Sequence, residues 1–241
     1  MRIINLKGIY TAYEGSDKPV IKDLSLSVDP GELLVIGGPN GAGKTTLLES
    51  INGLVRITHG SASVCGLDVR RQGVQVRKKV GYVLQSFYFD PFTPFTVGQV
   101  VLMGRYGRLG LLKRPGPEDF EATEKAIRAV GVVDLVDKPI GTLSGGQQQK
   151  VLIAQNIAKE PELLLLDEPF SNLDFVAREF VNGLLKNLVK SGTAILVVSH
   201  AFDGLPDMRI RIAVMDGGRI VYDGTCGAGE VAEIVRARTV T

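Results

Sequence analysis

Two stretches of the chain are hydrophobic without interruption: Leu163-Leu164-Leu165-Leu166 and Ala194-Ile195-Leu196-Val197-Val198. Runs with no polar alternation suit strands buried on both faces, as at the centre of a parallel sheet. The segment between them, about Phe175 to Lys190, supplies the helical crossover that joins parallel neighbours. The first hundred residues have a different rhythm. Short strands are predicted at Ile3 to Tyr10, Leu24 to Val28, Leu33 to Ile36, Ser61 to Val64 and Val80 to Leu84, several of them alternating apolar with polar positions. Turns such as Asp29-Pro30-Gly31 divide them.

From Thr96 to about Val136 the spacing becomes helical, as in Phe120, Thr123, Ala126, Ile127 and Val130 after a Pro117-Glu118-Asp119 start. Ahead of it lies Phe87-Tyr88-Phe89-Asp90-Pro91-Phe92-Thr93-Pro94-Phe95, with aromatics set between prolines. A further helix is predicted from after Ser144 to about Lys159. The chain then reads as a β-rich body with a helical subdomain inserted in it, and Gly217 to Thr241 adds a hairpin-like Gly-Gly turn and a short helix.

The 241 residues, 44% hydrophobic and 22% charged, suffice for a compact fold with a sizeable core. Net charge is only +2, and the densest basic cluster, Arg70, Arg71, Arg77, Lys78 and Lys79, reads as a solvated face, so no nucleic-acid partner is expected. The opening MRIINLKGIY is strand-like and not a secretory signal, and no apolar run approaches the roughly 20 residues that span a bilayer. A cytoplasmic protein is expected. Cys65 and Cys226 lie far apart without CxxC spacing, which suggests neither a disulfide framework nor a zinc site.

Directly after the strand Leu33 to Ile36 comes Gly38-Pro39-Asn40-Gly41-Ala42-Gly43-Lys44-Thr45-Thr46, which satisfies G-x-x-x-x-G-K-[ST] and leads into the helix-forming Leu47-Leu48-Glu49. Phosphate oxygens need closely approaching backbone N–H groups, and the glycines leave them open at a helix N-terminus. Lys44 is then expected to reach the β and γ phosphates, with the Thr45 hydroxyl on Mg²⁺. The run Leu163 to Leu166 ends in Asp167-Glu168, a buried strand delivering an acid to hold the metal, followed by a second acid. Such a loop alone leaves kinases, GTPases and helicases open.

Leu143-Ser144-Gly145-Gly146-Gln147 narrows the field, because it resembles the signature motif of ABC ATPases. Ser144 is a good N-cap, and Gly145 and Gly146 leave a second helix end open to an anion. The resemblance extends along nearly the whole chain. It implies a P-loop NTPase of ABC type: one ATPase cassette over 1–241, in which 1–86 and 160–241 form a mostly parallel core sheet with an antiparallel β subdomain, and about 87–159 the helical subdomain. It further implies ATP and Mg²⁺ as ligands, the metal held by Thr45, Gln85 and Asp167. Glu168 is the expected catalytic group for the attacking water, with Gln85 sensing metal and water and His200 near the γ-phosphate. Tyr13 resembles the aromatic that stacks on adenine, with Tyr10 a rival, and Ser171-Asn172-Leu173-Asp174 the loop that couples two sites. Ser144, Gly145, Gly146 and Gln147 would close over nucleotide held by a second copy in a head-to-tail homodimer.

The implied activity is ATP hydrolysis powering transport through separate integral membrane permease subunits, with the chain peripheral on the inner face of the membrane. Phe92-Thr93-Pro94-Phe95-Thr96-Val97, Val100 to Gly107 and Leu111-Leu112-Lys113-Arg114-Pro115 resemble importers of manganese, zinc or iron, which also use a solute-binding protein. Alternatives are an iron-chelate or cobalamin importer, a soluble ABC-type ATPase such as one for iron–sulfur cluster assembly, or a nucleotide-gated module without hydrolysis. The aromatic-proline stretch is the expected dock for the membrane subunit. Lys150, Gln155-Asn156 and Ala201 depart from the family's usual residues.

Overall fold

The computed structural model describes residues 1–13, 15, 18–85, 89–110, 113–170, 173–200, 202, 205, 206 and 208–239. Two sheets organise it. The larger has six strands in the order β10-β9-β3-β8-β7-β6. Its centre is β3 (Leu33–Gly37), β7 (Leu163–Asp167) and β8 (Ala194–Val198), every residue of which is buried. β6 (Val80–Val83) pairs with β7, β7 with β8 and β8 with β3, all parallel. On the other edge β9 (Arg209–Asp216) runs parallel to β3, and β10 (Arg219–Gly227) returns antiparallel through the Gly217-Gly218 turn. The smaller sheet has order β2-β1-β4-β5 and is antiparallel: β1 (Ile4–Thr11), β2 (Ile21–Val28), β4 (Ile57–Val64) and β5 (Leu67–Asp68). The parallel centre expected from the apolar runs, and the antiparallel subdomain that the family resemblance implies, are both observed.

The two sides of the large sheet carry two cores. One side packs with the small sheet and α1 (Lys44–Ile51), through Leu34, Ile36, Leu165 and Leu196 against Leu47, Leu48 and Ile51. The other packs with α3 (Val97–Leu109), α4 (Pro117–Ala129), α5 (Gly145–Ala158) and α6 (Phe175–Lys190). The crossover helix α6 has the bounds its sequence pattern predicts. α7 (Val231–Thr239) closes the end of the chain against β9 and β10.

Three elements depart from the sequence reading, of which the two-residue β5 is the smallest. Residues 69–79 form α2 (Val69–Lys79), kinked at Gln72, where only strands were expected. Asp68 caps it by accepting from the backbone N–H of Arg70 and Arg71, and Val69 and Val76, two turns apart, are its only buried residues. The basic cluster lies on this helix and its Arg71 and Lys78 are exposed. Strand β9 was also missed, because its apolar positions follow a segment with no strand pattern.

Within the helical layer, Arg105 is buried and ties three segments together. Its Nε donates to Asp119 Oδ1 on α4 at 2.8 Å, and Nη1 to Ala158 O and to Glu160 Oε2 beyond α5, both at 2.8 Å. The Gly116 N–H and Arg105 hold the Asp119 carboxyl below the usual carboxylate range. Lys150, one of the departures from the family pattern, sets its Nζ 5.0 Å above the Phe180 ring and so joins α5 to α6. Both cysteines are free and buried, and burial pushes the Cys65 thiol up to about 12.

Gly104 brings α3 against α5: a Cβ there would lie 2.0 Å from the Gln155 carbonyl oxygen. Gly104→Ala must part the two helices and is expected to cost about 1–3 kcal/mol, measured as a lower urea midpoint at unchanged slope.

Candidate active site

The carboxyl ends of β3, β7 and β8 converge beside the N-terminus of α1. Open α/β sheets assemble ligand sites at that edge. After β3 the chain turns through Gly38, Gly41 and Gly43, with φ of +136°, +79° and +96°. At Gly38 a Cβ would sit 2.1 Å from the Met215 carbonyl oxygen, so only glycine fits. Gly43 stands at the N-cap of α1 without a side-chain cap, and the first turn has no acid, so its backbone N–H groups are left for a ligand.

Lys44 is buried and its Nζ donates to the carbonyls of Gly38 and Pro39, each at 2.8 Å. Burial lowers its pKa, against the opposing pull of Glu168 and Asp167. Thr45 Oγ1 donates to Asp167 Oδ2 at 2.8 Å, while the buried Asp167 Oδ1 has no partner. An oxygen set with one carboxylate atom spare suits a hard divalent cation such as Mg²⁺, which Thr45 and Asp167 would hold, and Gln85 lines the same cavity.

Glu168 adopts a left-handed backbone, φ +51°, with its N–H donating to Val198 O at 2.9 Å. That turn aims its buried carboxylate at His200, whose Nδ1 lies 2.6 Å from Oε1. The cavity enclosed by these groups has a volume of about 350 Å³ and is also lined by Asn40, Gly41, Gly43 and Thr46. A larger polar cavity of about 570 Å³ beside Arg105 and Asp119 contains none of them. Convergent chemistry, and not volume, marks the site.

Several expected residues lie elsewhere. Ala42 is buried beside the loop, and Gly38 and Pro39 face Lys44 through their carbonyls. Ser144, Gly145, Gly146 and Gln147 begin α5 and line no part of the cavity. Ser144 Oγ accepts from the Gln147 N–H at 3.4 Å and Gln147 Oε1 accepts from the Ser144 N–H at 3.1 Å, so Gln147 is engaged in a capping box. Tyr13 sets its hydroxyl on α1, 2.9 Å from Thr46 Oγ1 and 3.0 Å from Glu49 Oε2. Tyr10 instead meets the His59 ring edge-on at 5.8 Å. Asp174 caps α6, accepting from the Ala177 N–H at 2.7 Å. Ser171, Asn172 and Ala201 lie outside the described residues, as do Phe87, Tyr88, Leu111 and Leu112. Glu49 and Val20 were missed; the signal for Glu49 was its position one helical turn beyond Thr46.

A family model described as "ABC transporter" matches residues 21–171, more than half of the chain. The chain belongs to the ABC transporter family. It is an ATPase that binds adenine nucleotide. The manganese transport system ATP-binding protein MntB of Bacillus subtilis is 42% identical over 92% of this chain and 86% of that one. The zinc transport system ATP-binding protein TroB of Treponema pallidum is 36% identical over 91% and 80%. The dimeric post-hydrolysis structure of the ATP-binding cassette MJ0796 with ADP and Pi superposes with TM-score 0.77 at 26% identity, covering 92% of this chain and 97% of that one. ABC cassettes of this kind pair and work with membrane permease subunits. Among the described residues of this one, no helix is long and apolar enough to cross a membrane.

Burial raises the pKa of Asp167 in the ligand-free protein. A carboxyl whose folded pKa exceeds its unfolded one loses native-state stability as pH rises through that folded value. Asp167→Asn is therefore expected to raise the nucleotide-free Tm at pH 7–8 and flatten its pH dependence, while abolishing Mg-ATP hydrolysis; thermal melts across pH measure the first.

Proposed function

We propose that this ATPase powers a metal-ion importer, with manganese or zinc as cargo and iron the remaining member of the group. The observation that carries the catalytic reading is the convergence of Thr45, Asp167, Glu168 and His200 on one cavity at the open end of α1. The cargo reading is supported by the manganese and zinc systems named for the relatives. In this reading cargo recognition falls to the membrane and binding partners.

In this reading the loop 38–46 cradles the phosphates through backbone N–H groups, and Lys44 leaves the Gly38 and Pro39 carbonyls to neutralise the β and γ oxygens. Mg²⁺, when bound, would supply charge neutralisation at the phosphates. Thr45 and Asp167 would hold it, with Gln85 lining the same cavity. Glu168 accepts a hydrogen bond from the attacking water and aims it at the γ-phosphorus. His200, tied to Glu168, keeps water and phosphate in line. Tyr13 stacks on the adenine.

Ser144, Gly145 and Gly146 are remote from this cavity and serve the nucleotide of a second copy, with Gln147 fixing the cap that presents them. Each chain then completes its partner's site in a head-to-tail homodimer. Residues 1–86 and 160–241 act as the catalytic core and about 87–159 as the helical subdomain. Phe89, Phe95, Met103 and Leu152 line an apolar groove of about 390 Å³ beside strand β6, and Phe92 nearby is 93% exposed. Such a surface fits an apolar segment of the permease. The chain thereby sits on the cytoplasmic face, with a solute-binding protein acting from the far side.

Glu168→Gln is expected to retain ATP binding, lower turnover by about 10²–10⁴-fold and accumulate closed dimer in gel filtration; turnover at the wild-type rate would remove Glu168 from this role. Lys44→Ala is expected to weaken nucleotide binding itself. For the cargo, the chain is purified in mild detergent with its permease and assayed with manganese- or zinc-loaded binding protein. Stimulated ATPase activity supports import, and recovery with soluble assembly factors alone would overturn it.

A further inference from the structure

Tyr13, Thr46 and Glu49 form a hydrogen-bonded chain at the rim of the phosphate cavity. Thr46 and Glu49 stand one turn apart on α1, and Tyr13 reaches them from just beyond the end of β1. Its hydroxyl donates to Glu49 Oε2 at 3.0 Å and lies 2.9 Å from Thr46 Oγ1. Proton bookkeeping fixes the direction of the second contact. A carboxylate oxygen accepts and has no proton to give, and a phenol has one proton. With that proton on Glu49, the Tyr13 oxygen accepts from Thr46, and the single proton of the Thr46 hydroxyl is used. Burial raises the Tyr13 pKa, which keeps the phenol protonated as this arrangement requires.

Phosphate oxygens only accept. While the contact stands, Thr46 turns lone pairs, and no proton, toward the cavity it lines. Thr46 is 5% exposed, so water does not readily replace the missing donor. Tyr13 is 47% exposed and can let go without unpacking a core.

We propose that Glu49 is a positioning residue that acts through the Tyr13 phenol to withhold the Thr46 proton until a nucleotide phosphate takes it. This rests on the reading of Thr46 as a phosphate ligand. On binding, the Thr46 hydroxyl rotates and donates to a phosphate oxygen, while Tyr13 keeps its bond to Glu49. Glu49 thereby sets nucleotide affinity without touching the nucleotide.

The test compares calorimetric affinities of the full chain for magnesium tripolyphosphate, which has no base to stack, and for ATP. Tyr13→Phe frees the Thr46 proton and is expected to tighten tripolyphosphate binding about three- to tenfold, the worth of one exchanged hydrogen bond. Glu49→Leu lets the phenol donate to Thr46 and is expected to tighten it likewise. Glu49→Gln retains an acceptor oxygen and is expected to stay at the wild-type value, a rescue that a role in folding alone would not produce. Unchanged or weaker tripolyphosphate binding in Tyr13→Phe and Glu49→Leu, with wild-type melting curves, would overturn the proposal. So would Glu49→Gln behaving as Glu49→Leu. Adding Thr46→Val to Tyr13→Phe is expected to weaken tripolyphosphate binding; no effect there would sink the phosphate-ligand reading itself. Tyr13→Ala tests adenine stacking separately, through the ratio of ATP to tripolyphosphate affinity.

Discussion

A strand buried on both faces can present polar chemistry only where it ends. β3, β7 and β8 have no exposed residue along their length; the first polar side chains after the apolar runs of β7 and β8 are Asp167, Glu168, Ser199 and His200, and β3 leads into the glycine loop. The helix layer on one side and the small sheet with α1 on the other make that burial complete. The site is therefore located by the hydrophobic effect before any hydrogen bond forms. The Thr45–Asp167 bond then locks the α1 terminus to the end of β7, so the loop and the acids share one frame.

The same frame extends into the helical layer through few but well-defined contacts. Asn156 on α5 accepts from the Tyr82 N–H on β6 through Oδ1 at 2.8 Å, three residues before Gln85, and donates to Leu152 O at 2.9 Å. This is one of the positions where the chain departs from the family's usual residues, and here the amide is satisfied on both sides. Ser144 caps α5, so the signature end of the helix and the Gln85 end of β6 are tied to one rod. Arg105, bonded to α4, to the last residue of α5 and to Glu160 beyond it, braces the far end of that layer.

What was legible in the sequence follows from how far each signal depends on its neighbours. Leu163 to Leu166 and Ala194 to Val198 could not be read as half-exposed strands, and the glycine-lysine loop after Leu33 to Ile36 has a backbone requirement few other residues meet. These set the core and the phosphate end of the site. α2 was hidden because it buries only two residues and so carries no apolar helical stripe, and Gly73 and three valines interrupt its helix formers; only the Asp68 cap and the Val69–Val76 spacing mark it. The environment of Tyr13 was illegible for another reason. Whether that ring meets Thr46 and Glu49 depends on how the small sheet docks on α1, which no local pattern encodes. Gln147 similarly reads as a ligand in the motif, and only the geometry of α5 shows its oxygen occupied by the cap.

Glu168 holds a backbone conformation that a side chain with a Cβ adopts at a cost of roughly 1–2 kcal/mol, and it does so at the end of a fully buried strand. Asparagine or glycine tolerates that conformation better. The fold has thus forgone an available gain in thermostability at the position where its carboxylate faces His200. Selection for heat resistance alone would be drawn to this residue, and under the role proposed for Glu168 would trade away activity there before any loss of structure became visible.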